Sequence, residues 1–324
     1  MRAPTLAARS TGATQADRRA PERSAGERIE LLGVDLLDAN RSTVEAFRRL
    51  ARKLGVQIGW HYLLDLSWTA AVLRESSAVD VLDAGAGLGL MQWWLAEQGA
   101  RVISADRQNR QELPFRFRAR YRVSGLRQED LLSPASSLAT RLKDGSVSAG
   151  PRAASALRAL AGWFLAWAAP KARGKIALYH QDLSSLVDVA DGSLDAVVAI
   201  SSLEHNTPEA LPRVVHELQR ILRPGGRIIA TLAAAETQDW FHQPSRGWCY
   251  TEASLRRLFS LGHTVPSNYA GYKSLMARLR GSAELRQGLA PFHFASGESG
   301  MPWGKWDPAY QPVGVVKIKE GGPA

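Results

Sequence analysis

Two aspartates and three glycines form a compact pattern near position 85. Asp83 ends an apolar run, Gly85, Gly87 and Gly89 follow at every second position, and Asp106 ends the next apolar run. Glycine has no Cβ, so a ligand can lie against bare peptide, and the N–H groups of a helix that begins directly afterwards would point at it. These residue types and spacings are typical of a cofactor-binding turn.

The elements that must position these residues are a strand, a turn, a helix and a second strand. The predicted strands cover 79–83 and 101–105, and the helix begins near Leu90. Parallel strands bring Asp83 and Asp106 to one edge of a sheet. A dinucleotide fingerprint would be G-x-G-x-x-G, but the third glycine comes one residue early, which disfavours NAD. A glycine turn alone also has a purely structural interpretation.

Three later segments appear in a fixed order along the chain. They are His180-Gln181-Asp182-Leu183 after the predicted strand Lys175–His180, Asp191-Gly192-Ser193-Leu194-Asp195 before the apolar strand Leu194–Ser201, and Leu222-Arg223-Pro224-Gly225-Gly226 before the strand Arg227–Leu232. With the glycine turn and the acid after the second strand, this order resembles class I S-adenosylmethionine-dependent methyltransferases. The last two segments resemble the methyltransferase type 11 branch, which includes quinone-biosynthesis enzymes.

The resemblance implies S-adenosylmethionine as cofactor and a role for each acid. Asp83 would lie near the ammonium group, Asp106 would accept the ribose hydroxyls with its two oxygens, and Asp182 would accept from the adenine amine. Each acid alone could also be a solvated loop residue. The full set of cofactor-binding residues that the resemblance implies is Asp83, Gly85, Gly87, Gly89, Asp106, Arg107, Gln181, Asp182, Leu183 and Ser201.

The segment after the fourth predicted strand contains the candidate catalytic residues. Glu204 and His205 follow Ser201 there, beside the expected methyl group. Methyl transfer mainly needs alignment of the reacting atoms, and a base can take a proton from a hydroxyl or amine acceptor. His205 is the candidate base. Packing against the cofactor or holding the loop is the alternative role for this histidine, and it is the one we favour.

The remaining pattern predicts an α/β fold with additions. We expect a Rossmann-like seven-stranded, mostly parallel sheet with helices on both faces. The predicted organisation is a disordered tail (1–26), an N-terminal helical cap (27–78) and a methyltransferase domain (79–319) with insertions at about 110–174 and 268–311. The cap would contain helices over Val44–Leu54 and Trp60–Leu73. Trp60, His61 and Tyr62 could line a substrate pocket, although packing is the commoner role of aromatic residues.

The first insertion contains a row of arginines. Arg116, Arg118, Arg120 and Arg122 alternate with apolar residues, which predicts a strand with an arginine face, and an apolar helix Ala153–Ala169 follows. One interpretation is a solvated strand beside a helix that packs on the core. The other is a site that holds an anionic, partly apolar acceptor or docks on an anionic membrane.

Composition sets broader limits. The chain has 324 residues, a formal net charge of +10 and one cysteine, Cys249, so it can form no intramolecular disulfide, which fits a reducing compartment. No signal peptide is evident, and the longest apolar run, Ala159–Ala169, is shorter than the roughly 20 residues needed to cross a bilayer. We therefore expect a cytoplasmic protein, with peripheral membrane contact as an option.

The expected function is methyl transfer to a small-molecule or lipid-like acceptor. The net positive charge does not identify a partner. The Asn-Pro-Pro-Tyr type motif, which many methyltransferases that act on amino groups of nucleobases contain, is absent after the fourth strand. Nucleic acid is therefore the less favoured partner. RNA methylation and a non-catalytic S-adenosylmethionine-binding regulator remain the alternatives. No metal is predicted, although His61, His242 and His293 could meet in the folded protein.

Overall fold

The computed structural model describes residues 26–133, 136, 171–288 and 306–321. The predicted tail up to residue 25 and the predicted helix Ala153–Ala169 lie outside the described residues, as does His293. The strands are β1 (Arg28–Leu31), β2 (Asp80–Ala84), β3 (Arg101–Asp106), β4 (Arg122–Gly125), β5 (Lys175–His180), β6 (Leu194–Ile200), β7 (Leu222–Ala234), β8 (Trp240–His242), β9 (Gly247–Tyr250) and β10 (Gln311–Ile318). The helices are α1 (Asp35–Ala39), α2 (Arg41–Leu54), α3 (Tyr62–Arg74), α4 (Met91–Glu97), α5 (Phe115–Arg120), α6 (Leu211–Ile221), α7 (Glu252–Leu258), α8 (Tyr272–Arg280) and α9 (Ala283–Gly288).

One mixed sheet organises the described residues. Its strand order is β1-β10-β7-β6-β2-β3-β5-β4, and the β8–β9 hairpin joins it through β9, which pairs with β7. All neighbours from β7 to β4 run parallel, whereas β10 is antiparallel to both β7 and β1. The predicted mostly parallel α/β sheet is confirmed. The count of seven strands is wrong, because the described part of the sheet has ten.

Helices cover both faces of the sheet. The α6 and α7 helices pack on one face, and α1 to α4 pack on the other. The α3 helix rests on β6, β7 and β10. A Cβ at Gly314 of β10 would lie 2.4 Å from the ring of Trp68, so only glycine allows this approach. Residues 27–78 are therefore part of the main core rather than only a cap, and they also supply β1.

The predicted strand over 115–123 is wrong for residues 115–120, which form helix α5, whereas Arg122 and Val123 belong to strand β4. Pro114 precedes this helix, and Phe117 is fully buried against the Trp93 ring, with 4.5 Å between the ring centres. The alternation over 115–123 does not outweigh this tertiary contact.

The helix also disperses the predicted arginine face. Arg118 donates to three backbone carbonyls, and Arg120 donates to Glu97 at 2.9 Å. Arg116 lies over the ring of Phe117. In a helix, residues two apart point in nearly opposite directions, so the arginines cannot form one row. The expectation of docking on an anionic membrane thus loses the geometry on which it was based.

Candidate active site

The glycine turn connects β2 to α4 and packs against the loop after β6. Gly85 has a φ of +71°, and a Cβ there would lie 2.5 Å from the Cβ of Ser202. The Ser202 hydroxyl donates to the carbonyl of Ala84 at 2.7 Å. Both the backbone conformation and the close approach require glycine at this position. The two strand-end loops are therefore held together at the carboxyl edge of the sheet.

Asp106 anchors the same turn from the end of β3. One carboxylate oxygen accepts the N–H of Gly87 at 2.7 Å, and the other accepts the N–H of Gln108 at 2.6 Å. A carboxylate has about four acceptor positions, so further donors can still bind to it. A Cβ at Gly87 would come within 3.9 Å of the Asp106 carboxylate. The space directly beside this acid is therefore kept open by a glycine.

A buried polar network supports the turn from below, and sequence reasoning missed it. The Gln92 amide donates to three carbonyls of the turn at 3.1–3.3 Å. The Ser104 hydroxyl donates to Gln92 at 2.6 Å, and Arg110 donates to Ser104 and to the carbonyl of Gly87. The available signal was the presence of polar residues on otherwise apolar faces of α4 and β3. Buried hydrogen bonds of this kind hold the turn in one conformation.

Asp83 lies at the end of β2 and is only 2% exposed. Burial raises the pKa of this carboxyl to about 7, against the opposing effect of the nearby Arg110 guanidinium. A carboxyl with this pKa is half ionised near neutral pH, and a cationic group placed beside it would favour the ionised form. Asp83 is thus suited to receive a positive charge.

The third acid of this edge follows β5. The Ser184 side chain and backbone donate to one oxygen of Asp182, and these bonds lower the pKa of its carboxyl. The other oxygen lies 3.7 Å from Arg107. The backbone N–H of Gln181 donates to the Asp106 carbonyl at 3.1 Å. The structure therefore brings the predicted residues of the β3 and β5 loops together.

Leu183 has a different environment from the other predicted cofactor-binding residues. It is 8% exposed and belongs to the apolar core on the α6 face of the sheet. Its position after Asp182 still places it at the same edge, but most of its surface contacts protein.

Three acidic side chains at this edge fit the cofactor implied by the sequence. Asp83, Asp106 and Asp182 lie at the ends of neighbouring strands β2, β3 and β5, beside a turn of bare peptide. S-adenosylmethionine carries an ammonium group, two ribose hydroxyls and an adenine amine, and all of these are donors that carboxylates can accept. We expect Asp106→Asn to weaken S-adenosylhomocysteine binding by about 1–2 kcal/mol in calorimetry, since one acceptor oxygen is lost. Unchanged affinity in the folded variant would remove Asp106 from the site.

The two predicted catalytic residues have opposite environments. Glu204 is only 4% exposed, and one of its oxygens accepts the Ser201 hydroxyl at 2.6 Å. Burial raises the pKa of the Glu204 carboxyl. His205 is exposed, and its Nδ1 lies 3.0 Å from the carbonyl of Arg246. This contact fits the loop-holding role of His205 better than a role as base.

Replacement of His205 by alanine should therefore have little effect. The expected change in stability is about 0.5 kcal/mol, as for other surface positions, and methyl transfer should stay near the wild-type rate. Steady-state kinetics with His216→Ala, another exposed histidine, provide the comparison. A large fall in turnover in the His205 variant alone would restore this residue as the base.

A second histidine lies in the interior near Glu204. The Nδ1 atom of His61 is 2.5 Å from Asp65, one turn later at the start of α3. Burial alone would lower the pKa of His61, but the Asp65 carboxylate outweighs it and Glu204 adds to the effect, so the net direction is upward. The pair was missed, although the spacing of four residues between an acid and a histidine on one helix was a usable signal.

Aromatic side chains surround this histidine. The His61 ring stacks on Tyr62 at 4.8 Å, and Trp60 and His242 contact Tyr310 at 5.1 and 5.3 Å between ring centres. The complete group, called the aromatic enclosure below, consists of Trp60, His61, Tyr62, Trp240, His242, Trp306 and Tyr310. Trp240 also lines an open cleft of about 500 Å³. Within the part of the chain that the structure describes, no three His, Cys, Asp or Glu residues are placed to hold a metal ion.

The sequence comparison gives one family match. A sequence model of the family described as "Methyltransferase domain" (Methyltransf_11) matches residues 161–230, a stretch that includes β5, β6 and α6. No curated protein sequence matches the chain.

The solved structures to which the chain is similar have low sequence identity. They include 1,6-didemethyltoxoflavin-N1-methyltransferase of Burkholderia thailandensis, with 15% identity over 89% of this chain and 86% of that chain and a TM-score of 0.39. The [4+2]-cyclase SpnF has 14% identity over 90% of this chain and 100% of that chain, with a TM-score of 0.44. Geranyl diphosphate C-methyltransferase of Streptomyces coelicolor A3(2) has 12% identity over 85% and 77% of the two chains, with a TM-score of 0.41. The family match identifies a methyltransferase domain at residues 161–230, and the ordered glycine and aspartate residues resemble the S-adenosylmethionine site of type 11 methyltransferases.

Proposed function

We propose that this enzyme methylates a small-molecule or lipid-like acceptor that binds in the aromatic enclosure. The observation that carries the proposal is the position of buried Glu204. It is bonded to Ser201 at the end of β6, and the adjacent Ser202 packs on Gly85 of the glycine turn. The same Glu204 is close enough to His61 for each to shift the pKa of the other. The acceptor side and the cofactor side of the site therefore meet at this loop.

The chain's own residues supply binding, orientation and exclusion of water. S-adenosylmethionine provides the methyl group as a strong electrophile, so the protein mainly has to align the acceptor. Trp60 and Tyr310 are almost fully buried. Their rings offer a flat apolar surface, and buried polar groups near it fix the orientation of a ligand.

The chemistry of the enclosure favours a small or partly apolar acceptor over RNA. RNA binding needs unpaired basic side chains along a surface. Near the enclosure, Lys273 lies 3.5 Å from Glu236, and Arg280 donates to the carbonyl of Pro308 at 3.3 Å. Arg118 and Arg120 are engaged in the interactions described above. A lipid-like acceptor remains compatible with the apolar rings. In the described residues, no helix combines the length and apolar character needed to span a bilayer.

The proposal is tested by incubating the full chain with methyl-labelled S-adenosylmethionine and a cell extract. Label in small organic-soluble products supports it. Label in RNA contradicts it and supports RNA methylation. Cofactor binding in calorimetry without any transfer contradicts it and supports a non-catalytic regulator. Asp83→Asn, which should not hold the cofactor, gives the background of non-enzymatic labelling.

A further inference from the structure

One oxygen of Glu204 has no hydrogen-bond partner among the described residues. This atom, Oε2, is fully buried, whereas the other oxygen accepts from Ser201. A buried carboxylate oxygen without a donor is costly, and native structures normally satisfy such atoms. The position therefore needs a donor that the described protein atoms do not supply.

Glu204 interacts electrostatically with groups from several elements. They are His61 and Tyr62 at the start of α3, Cys249 and Tyr250 of β9, and Tyr310 before β10, while His205 is exposed. Aromatic rings have a negative face that attracts cations, most strongly where water is excluded. Aromatic rings together with one unpaired carboxylate oxygen suit a cationic donor.

Charge balance leads to the same class of ligand. Asp65 and His61 form an ion pair when the imidazole is protonated, and the raised pKa of His61 favours that form. When Glu204 is ionised, it is the remaining negative charge of the three. A single ammonium group would neutralise it, whereas a neutral hydroxyl would not.

We propose that the methyl acceptor is an amine, which binds as an ammonium ion with an N–H directed to Oε2 of Glu204 inside the aromatic enclosure. This inference rests on the proposed function and names the substrate class for it. Glu204 also accepts the proton. An ammonium nitrogen has no lone pair, so one N–H proton moves to Oε2 and the electron pair of that bond stays on nitrogen. The lone pair of the neutral amine would then form the N–C bond to the methyl group as the bond from that carbon to the sulfonium sulfur breaks, with its electron pair left on sulfur and S-adenosylhomocysteine as the leaving group.

Within this arrangement, His61 and Asp65 act as positioning residues. Their pair orients the imidazole beside Glu204 and keeps the acceptor side of the loop in place. The burial that raises the pKa of Glu204 makes it a better proton acceptor than an exposed carboxylate.

The test uses the full chain loaded with S-adenosylhomocysteine and two small probes, n-butylamine and 1-butanol, at pH 7. These probes have the same alkyl chain, and only the amine is cationic. Tryptophan fluorescence and ligand NMR measure binding. We expect the wild type to bind n-butylamine at least about tenfold more tightly than 1-butanol. Glu204→Gln should lose this preference, whereas Glu209→Gln, at an exposed position on the same loop, should keep it.

The possible outcomes separate the two proposals. If the wild type does not bind S-adenosylhomocysteine in calorimetry, the proposed function fails. If it binds S-adenosylhomocysteine but shows no preference for n-butylamine, the amine inference fails alone. A preference that persists in Glu204→Gln overturns the role of Glu204. If Glu204→Gln does not fold, Glu204→Asp is measured in its place. An equal decrease in the affinity for n-butylamine and for 1-butanol in that variant would overturn the inference. A labelled enzymatic product should carry its methyl group on nitrogen, and label on oxygen or carbon would contradict the inference.

Discussion

Replacing Gly85 with alanine should weaken S-adenosylhomocysteine binding by about 100-fold or more. The left-handed conformation costs a residue with a Cβ about 1–2 kcal/mol, and the 2.5 Å contact with Ser202 adds about 1–3 kcal/mol of overpacking. The turn can relieve both only by leaving its binding conformation. The apparent affinity for the ligand falls in proportion to the fraction of protein that still has the binding conformation. Calorimetry with S-adenosylhomocysteine measures the effect.

Two variants distinguish the clash from the backbone strain. Gly99 also has a positive φ, +98°, but no atom lies within 4 Å of its Cβ position, and it is at the far end of α4 from the turn. Gly99→Ala should therefore lower the melting temperature without changing affinity. Adding Ser202→Gly to Gly85→Ala removes the clashing Cβ and should restore part of the binding. If Gly85→Ala alone binds like the wild type, the turn does not hold the cofactor.

S-adenosylhomocysteine affinity should fall as the pH decreases below 7. Burial raises the pKa of Asp83 to about 7, so below that value the free protein carries a neutral carboxyl. The ammonium group of the ligand needs the ionised form of Asp83. Below the pKa, the neutral carboxyl must therefore release a proton when the ligand binds. The affinity should decline by up to about tenfold for each pH unit below the pKa, and it should be nearly constant from pH 7 until the ligand's own amine, with a pKa of about 8, begins to lose its charge.

Proton release distinguishes Asp83 from the other acids. Calorimetry in buffers of different ionisation enthalpy counts the protons released on binding. It should give close to one proton per ligand at pH 6 and only a small fraction of one at pH 7.5. Asp182 is not a competing source, because its pKa is lowered by Ser184 and lies below this range. Asp83→Asn should abolish the pH dependence and weaken binding by about 3–5 kcal/mol, as expected when a buried charge loses its partner. Equal affinity of the wild type at pH 6 and 7.5 would contradict the assignment.

The sequence predicted the cofactor edge because its signals are local. Gly85 and Gly87 adopt positive φ within a turn that connects adjacent elements, and Asp106 bonds to the same turn from the next strand. Strand and helix periodicity also gave β6 and α2 to within a few residues. These features depend on spacing along the chain, which can be counted without knowledge of the fold.

The acceptor side could not be predicted in the same way. His61 and Glu204 meet because α3 packs across β6 and β7, and no local pattern records that packing. Strand β1 is only four residues long and exists because it pairs with β10 at the other end of the described chain. The arginines around Phe117 gave a false strand signal, since one buried aromatic contact decided the local structure instead.

The place of β10 in the sheet has a consequence for biosynthesis. Of the described strands, β10 is made last, yet it lies between β1, which is made first, and β7. While the chain is still on the ribosome, β1 has no partner strand, β7 presents an open edge, and Trp68 lacks the glycine surface on which it rests. Contacts of such large sequence separation form slowly, and open strand edges promote aggregation. Nascent chains that have not yet released β10 should therefore depend on chaperones more than the finished enzyme does.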